Sequence, residues 1–170
     1  IRDRVWFVFC GQGPERAPLQ ARCEGLPRVR FLDLQPAARL GALLNTADIH
    51  LLPQRAGAAD LVMPSKLTGM LASGRPVVCG AAAGTELANV VAHCGLLTPP
   101  EDADAMARAV RTLSRDAHAR ETLGASARHY ALTHLHVDAV LAAAEREFAS
   151  VVGAKAKPAS LKSRTRESDT

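Results

Sequence analysis

Lysine is almost missing from the body of this chain: between Ile1 and Val151 there are fifteen arginines but one lysine, Lys66. Aromatic residues make up only 4% of the 170, so any core must be aliphatic, built from Leu, Val and Ala. No Cys-x-x-Cys pair occurs, and Cys10, Cys23, Cys79 and Cys94 are widely scattered, which favours buried, reduced thiols over a disulfide or zinc site. His134 and His136 would point to different faces of a helix, so no metal site is expected. No apolar run approaches the length of a membrane span and no signal-peptide pattern opens the chain, so cytoplasmic residence is the expectation.

Charge is also scarce once its location is counted. The formal net charge is +4, but the last twenty residues carry Lys155, Lys157, Lys162, Arg164 and Arg166 against Glu167 and Asp169. The folded body is therefore nearly neutral, and with one Trp and one Tyr it has little equipment for stacking bases. A nucleic-acid polymer is not an expected partner. The length suits one domain with a sizeable core, residues 1–152, followed by a disordered basic tail over 153–170.

What is present alternates. Val5–Cys10 is a continuous apolar run that suits a strand buried on both faces of a parallel sheet. A helix is expected from Pro14 to about Glu24, a strand at Val29–Leu32, and a helix over Ala37–Thr46 with Leu40, Leu43 and Leu44 on one face. Further strands follow at Asp48–Leu52, Pro76–Cys79 and Gly95–Thr98. Between them, Ser65–Ser73 should be a helix stopped by Gly74, and Thr85 should cap a helix running to about His93. The remainder reads as three helices, 103–114, 117–133 and 137–151. Strand and helix at this spacing predict right-handed βαβ units and an α/β, Rossmann-like, doubly wound parallel sheet with a helical C-terminal segment. The first strand arrives with nothing before it, so the N-terminal part of a larger protein is expected to be missing.

Ligands of open α/β sheets bind beyond the carboxyl ends of the strands, where three segments fall. Gly11-x-Gly13 opens a helix and would let backbone approach a diphosphate, though a tight βα turn needs the same residues. Asp33-Leu-Gln-Pro36 would present backbone groups to a base, or serve as a connector only. Lys66 lies in the first turn after Pro64-Ser65, the unfavourable end of a helix dipole for a cation. An anion bound there would remove that cost; a solvated lysine is the alternative.

In order and spacing, Phe9-Cys-Gly-Gln-Gly-Pro14, Val29-Arg-Phe-Leu-Asp-Leu-Gln-Pro36, Leu44-Asn-Thr-Ala-Asp-Ile49, Pro64-Ser-Lys66 and Ala72-Ser-Gly-Arg-Pro-Val77 resemble the C-terminal, donor-binding half of family 4 glycosyltransferases with the GT-B fold. The stretch Leu51–Gln54 with Asp60–Leu71 is most similar to the colanic-acid-type exopolysaccharide members. The resemblance implies a nucleotide-sugar donor with Gly11 and Gly13 near the diphosphate, Leu34 and Gln35 near the base, and Ser65, Lys66 and Glu86 among the donor-binding residues. It also implies metal-independent, retaining transfer to a glycan or lipid-linked saccharide acceptor, with no resident cofactor and peripheral contact with the inner face of the plasma membrane. Two departures stand out. The family's Glu-x7-Glu pattern would fall on Leu61 and Gly69, leaving Asp60 as a stand-in and candidate catalytic group. The family's basic residues on the first loop of this half would precede Ile1. A nucleotide-sugar epimerase on the same scaffold, or an inactive nucleotide-binding lobe, are the rival expectations.

Overall fold

The computed structural model of the protein describes residues 5–58 and 63–155. Five strands alternate with helices. In order these are β1 (Phe7–Cys10), α1 (Arg16–Arg22), β2 (Val29–Leu32), α2 (Leu40–Asn45) and β3 (His50–Leu52). They continue with α3 (Ser65–Ala72), β4 (Val77–Gly80), α4 (Glu86–Val91), β5 (Gly95–Thr98), α5 (Ala103–Arg115), α6 (Ala117–Tyr130) and α7 (Val137–Lys155). All pairings are parallel, as βαβ connections require, but they form two sheets: β1 with β2, and β3–β4–β5 with β4 in the centre. The expected single ladder of five strands is thus divided among the described residues.

The three-stranded sheet holds the core. Successive residues of a strand face opposite sides, so Val77 and Cys79 of β4 meet α3, α4 and α6 through Leu67, Leu71, Val91 and Ala127. Val78, between them, meets Val110 and Leu113 of α5 on the other side. Helices on both faces make this unit doubly wound. Helix α3 stops where expected: Gly74 adopts φ +69°, and its N–H bonds to the Leu71 carbonyl at 3.0 Å. The Gly74 carbonyl lies so close to Gly124 of α6 that a Cβ there would not fit. Arg128 of α6 donates to the Ala72 carbonyl at 2.6 Å beside the same crossing.

The two-stranded sheet is built differently. Phe9 stacks on Phe31 directly across the ladder, ring centroids 5.0 Å apart. Val8 on the opposite face is 52% exposed, and Trp6 is half exposed beneath Arg30, 4.7 Å from its ring centroid. The expectation of a first strand buried on both faces is therefore corrected. An uninterrupted apolar run does not fix burial, because the covering helices decide it. Cys10 is likewise exposed and Cys23 part-buried; only Cys79 and Cys94 of the four free thiols are buried.

Local chemistry explains the other differences. The helix expected over 37–46 begins as a 3-10 turn, Ala37–Arg39, after the extended Pro36. The one expected over 117–133 ends at Tyr130 and widens into a π-helical stretch, Ala131–Leu135. There the Thr133 hydroxyl donates to the His129 carbonyl at 2.9 Å, competing with the backbone ladder. Helix α7 runs through Lys155, so Gly153 to Lys155 are helical rather than tail; residues 156–170 lie outside the description. None of the described helices is long and apolar enough to cross a membrane.

Candidate functional site

The carboxyl ends of β1 and β2 carry two loops that are stitched together. Gly11 follows β1 with φ +141°, a conformation that side chains disfavour, and a Cβ there would meet nothing within 4 Å. The glycine thus serves the backbone path and leaves open space beside it, as it does at Gly13. Gly11 N–H bonds to the Leu32 carbonyl at 3.2 Å, and Cys10 Sγ donates to the Asp33 carbonyl at 3.2 Å. That carbonyl also accepts from Gln35 Nε2 at 2.9 Å, so the Gln35 amide braces its own loop. Leu34 between them is 69% exposed, free to lie against a ligand.

Arg16 joins the two loops. It stands at the first position of α1, and its Nη1 donates to the Gly11 carbonyl and, at 2.8 Å, to the Leu32 carbonyl. Its Nη2 pairs with Asp33 Oδ1 at 3.0 Å, the guanidinium three-quarters covered and the carboxylate mostly in solvent. The planar fork of an arginine can serve several acceptors at once. Arg16 is absent from the site residues expected from the sequence, although a cation opening α1 meets the same unfavourable end of a helix dipole as Lys66 does.

The β3–β5 sheet supplies the other candidates. Ser65 and Lys66 open α3, preceded by Pro64 in an extended conformation and with no side-chain cap. Leu67 N–H is taken by the Pro64 carbonyl at 2.9 Å, which leaves the N–H groups of Ser65 and Lys66 without a partner among the described residues. Lys66 is exposed and makes no ion pair among the described residues. Thr85 caps α4 as expected, its Oγ1 accepting from Ala88 N–H at 3.1 Å. Glu86 follows, exposed in the first turn. Its charge reaches Tyr130 of α6 and, after burial and Cys94, helps hold the phenol above its ordinary pKa. Asp60 and Leu61 lie outside the described residues. At Gly69 an added Cβ would come 3.0 Å from Leu44 Cδ1 of α2, so a larger residue there requires the end of the Leu44 side chain to shift by a few tenths of an ångström. The structure thus sets the Gly11–Gly13 turn beside the loop that carries Leu34 and Gln35, with Arg16 tying Gly11 to Leu32 and Asp33. No hydrogen bond among the described residues links that group to Ser65, Lys66 or Glu86.

Parallel strands with glycine turns and helix N-termini at their carboxyl ends define the class of open, doubly wound α/β proteins, whose ligands bind beyond those ends. Comparison with known proteins narrows this. Residues 1–116 match the family model described as glycosyl transferases group 1, and the chain belongs to that family. Over 120 residues it is 40% identical to the colanic acid biosynthesis glycosyl transferase WcaI of Escherichia coli (strain K12), the alignment covering 65% of this chain and 29% of that protein. Among solved structures it is similar to sucrose-phosphate synthase from Thermosynechococcus elongatus, with a TM-score of 0.70, 21% identity, and coverage of 86% of this chain and 38% of that one. It is also similar to Anabaena Alr3699/HepE in complex with UDP-glucose, with a TM-score of 0.67, 20% identity, and coverage of 89% and 42%. These likenesses identify the fold as a Rossmann-like lobe of the GT-B type. The chain spans well under half the length of each of these proteins.

Proposed function

We propose that the chain is the donor-binding lobe of a glycosyltransferase that takes a nucleotide sugar and acts in exopolysaccharide assembly of the colanic-acid type. The observation that carries it is the family match over a lobe whose Gly11–Gly13 and Asp33–Gln35 loops lie side by side at the strand ends. The UDP-glucose complex of the similar Anabaena protein supports a nucleoside diphosphate as the recognised part of the donor. The 40% identical E. coli relative supports the exopolysaccharide assignment. Its name and the family are those of glycosyltransferases, which leaves the epimerase and inactive-lobe alternatives without support.

In this reading Leu34 and Gln35 meet the base, Gly11 and Gly13 admit the diphosphate, and Ser65 and Lys66 hold the phosphates or sugar, with Glu86 beside them. No resident metal or cofactor takes part. Catalysis is electrostatic: the N-terminus of α3 and Lys66 stabilise the charge growing on the departing nucleoside diphosphate. The acceptor is a glycan or lipid-linked saccharide, met in the cytoplasm at the membrane face.

The test is calorimetric titration of the chain with UDP, beside Lys66→Ala. The substitution should weaken binding by about 1.5–3 kcal/mol, the range for hydrogen bonds to charged groups. It should leave the unliganded fold as stable or slightly more so, since an unfavourable dipole contact goes. Equal affinities would return Lys66 to an ordinary solvated side chain.

A further inference from the structure

We propose that Arg16 is a positioning residue for the donor, a clip that fixes the spacing between the diphosphate loop and the base loop; this rests on the donor-site reading above. The geometry is specific to that task. One guanidinium nitrogen reaches the Gly11 carbonyl on one loop and the Leu32 carbonyl at the root of the other, while the second nitrogen pairs with Asp33. The three acceptors belong to both segments flanking the open space beside Gly11.

Few other groups could do this work. No residue from 5 to 49 is buried, so packing alone does not lock the loops. Without Arg16 the direct ties between the two loops are one backbone hydrogen bond and the thiol contact of Cys10. A nucleoside diphosphate must be held at both its base and its phosphates, so its affinity depends on the distance between the two loops. Inorganic pyrophosphate engages only one of them. Arg16 is already turned toward two carbonyls and a carboxylate, so it does not serve as a phosphate ligand. Its effect is to remove loop disorder that binding would otherwise have to overcome.

Titration of wild type, Arg16→Ala and Arg16→Lys with UDP and with inorganic pyrophosphate tests this, with melting temperature and binding stoichiometry recorded alongside. Arg16→Ala should lose about tenfold in UDP affinity while pyrophosphate affinity stays within about twofold, both at unchanged stoichiometry. Arg16→Lys should remain weak, because an ammonium keeps the charge but not the planar fork. Equal losses for both ligands would make Arg16 a phosphate contact and overturn the clip. So would full recovery with lysine, or reduced stoichiometry at unchanged affinity, which marks partial unfolding. If wild type binds UDP and Arg16→Ala binds it equally well, the clip alone falls. If wild type binds neither ligand, the donor-site reading falls and takes the clip with it.

Discussion

Residues 5–49 and residues 50–135 repeat the same strand–helix alternation yet bury very different shares of it. In the first region every residue keeps some exposure; the first buried side chain among the described residues is His50, at the start of β3. In the second, all four residues of β4 are buried, with helices against both faces of the strand. A parallel strand becomes core only when helices cover both of its sides, and among the described residues alternate positions of β1 stay exposed. The two regions also differ in what orders them. The β3–β5 unit is held by apolar packing, the β1–β2 unit by a stacked phenylalanine pair and by polar ties at its loops. The loops proposed to recognise the donor sit on the second kind of support, which makes individual polar contacts there more consequential.

Thiol chemistry offers the largest contrast. Burial pushes the Cys79 thiol up to about 11, so at pH 8 roughly one molecule in a thousand carries the reactive thiolate there. Cys10 is exposed at the end of β1. Under native conditions a soluble disulfide reagent should label Cys10 first, Cys23 more slowly, and Cys79 and Cys94 only as the protein unfolds. Mass spectrometry of timed samples checks the order. Labelling of Cys79 as fast as that of Cys10 would mean that the β3–β5 unit opens as readily as its neighbour.

Core truncation should show the same division in energy. Leu71 of α3 is wholly buried, and Leu71→Ala should cost about 2–5 kcal/mol in urea unfolding. Leu32 of β2 is 38% exposed, and Leu32→Ala should cost about 1 kcal/mol. Equal costs would abolish the distinction between the two regions.

What the sequence made legible was local. The start of α3 after Pro64, its stop at Gly74, the Thr85 cap and the limits of β2 and β5 each depend on a few neighbouring residues. Burial of the Val5–Cys10 run was not legible, because it depends on which helices lie over the strand. The split into two sheets is a long-range property of the same kind. Among the candidate site residues, the loop positions of Gly11, Gly13, Leu34 and Gln35 could be read from the chain because they follow strands. The role proposed for Arg16 could not be read without the register that sets Leu32 opposite Cys10 and so brings Leu32 and Asp33 beside Gly11. Glycine at 69 reads from the sequence as a missing functional group, and only the structure shows that Leu44 of α2 lies against it.

The boundary between the regions has its own pH signature, the smallest of the three effects. His50 is buried, its Nε2 2.9 Å from Ser73 Oγ. The Ser73 hydroxyl donates to the Met70 carbonyl at 2.6 Å, so its oxygen accepts from the imidazole Nε2–H. Burial first, and then the charge of Arg75, hold His50 below its ordinary value of 6.5. The unfolded chain therefore takes up a proton near pH 6.5 that the folded protein refuses, and stability must fall as pH drops from there toward the folded value. Above pH 6.5 both states carry neutral histidine and the contribution is flat. Unfolding in urea across pH 5–7.5 should show this slope in wild type and lose part of it in His50→Gln, which retains a donor for Ser73 without the titration. The variant will also lower stability at pH 7.5 through imperfect packing, so the diagnostic quantity is the slope and not the midpoint. An unchanged slope would show that His50 is already protonated or already exposed in the folded state, and the buried region would then begin at Leu52 instead of His50.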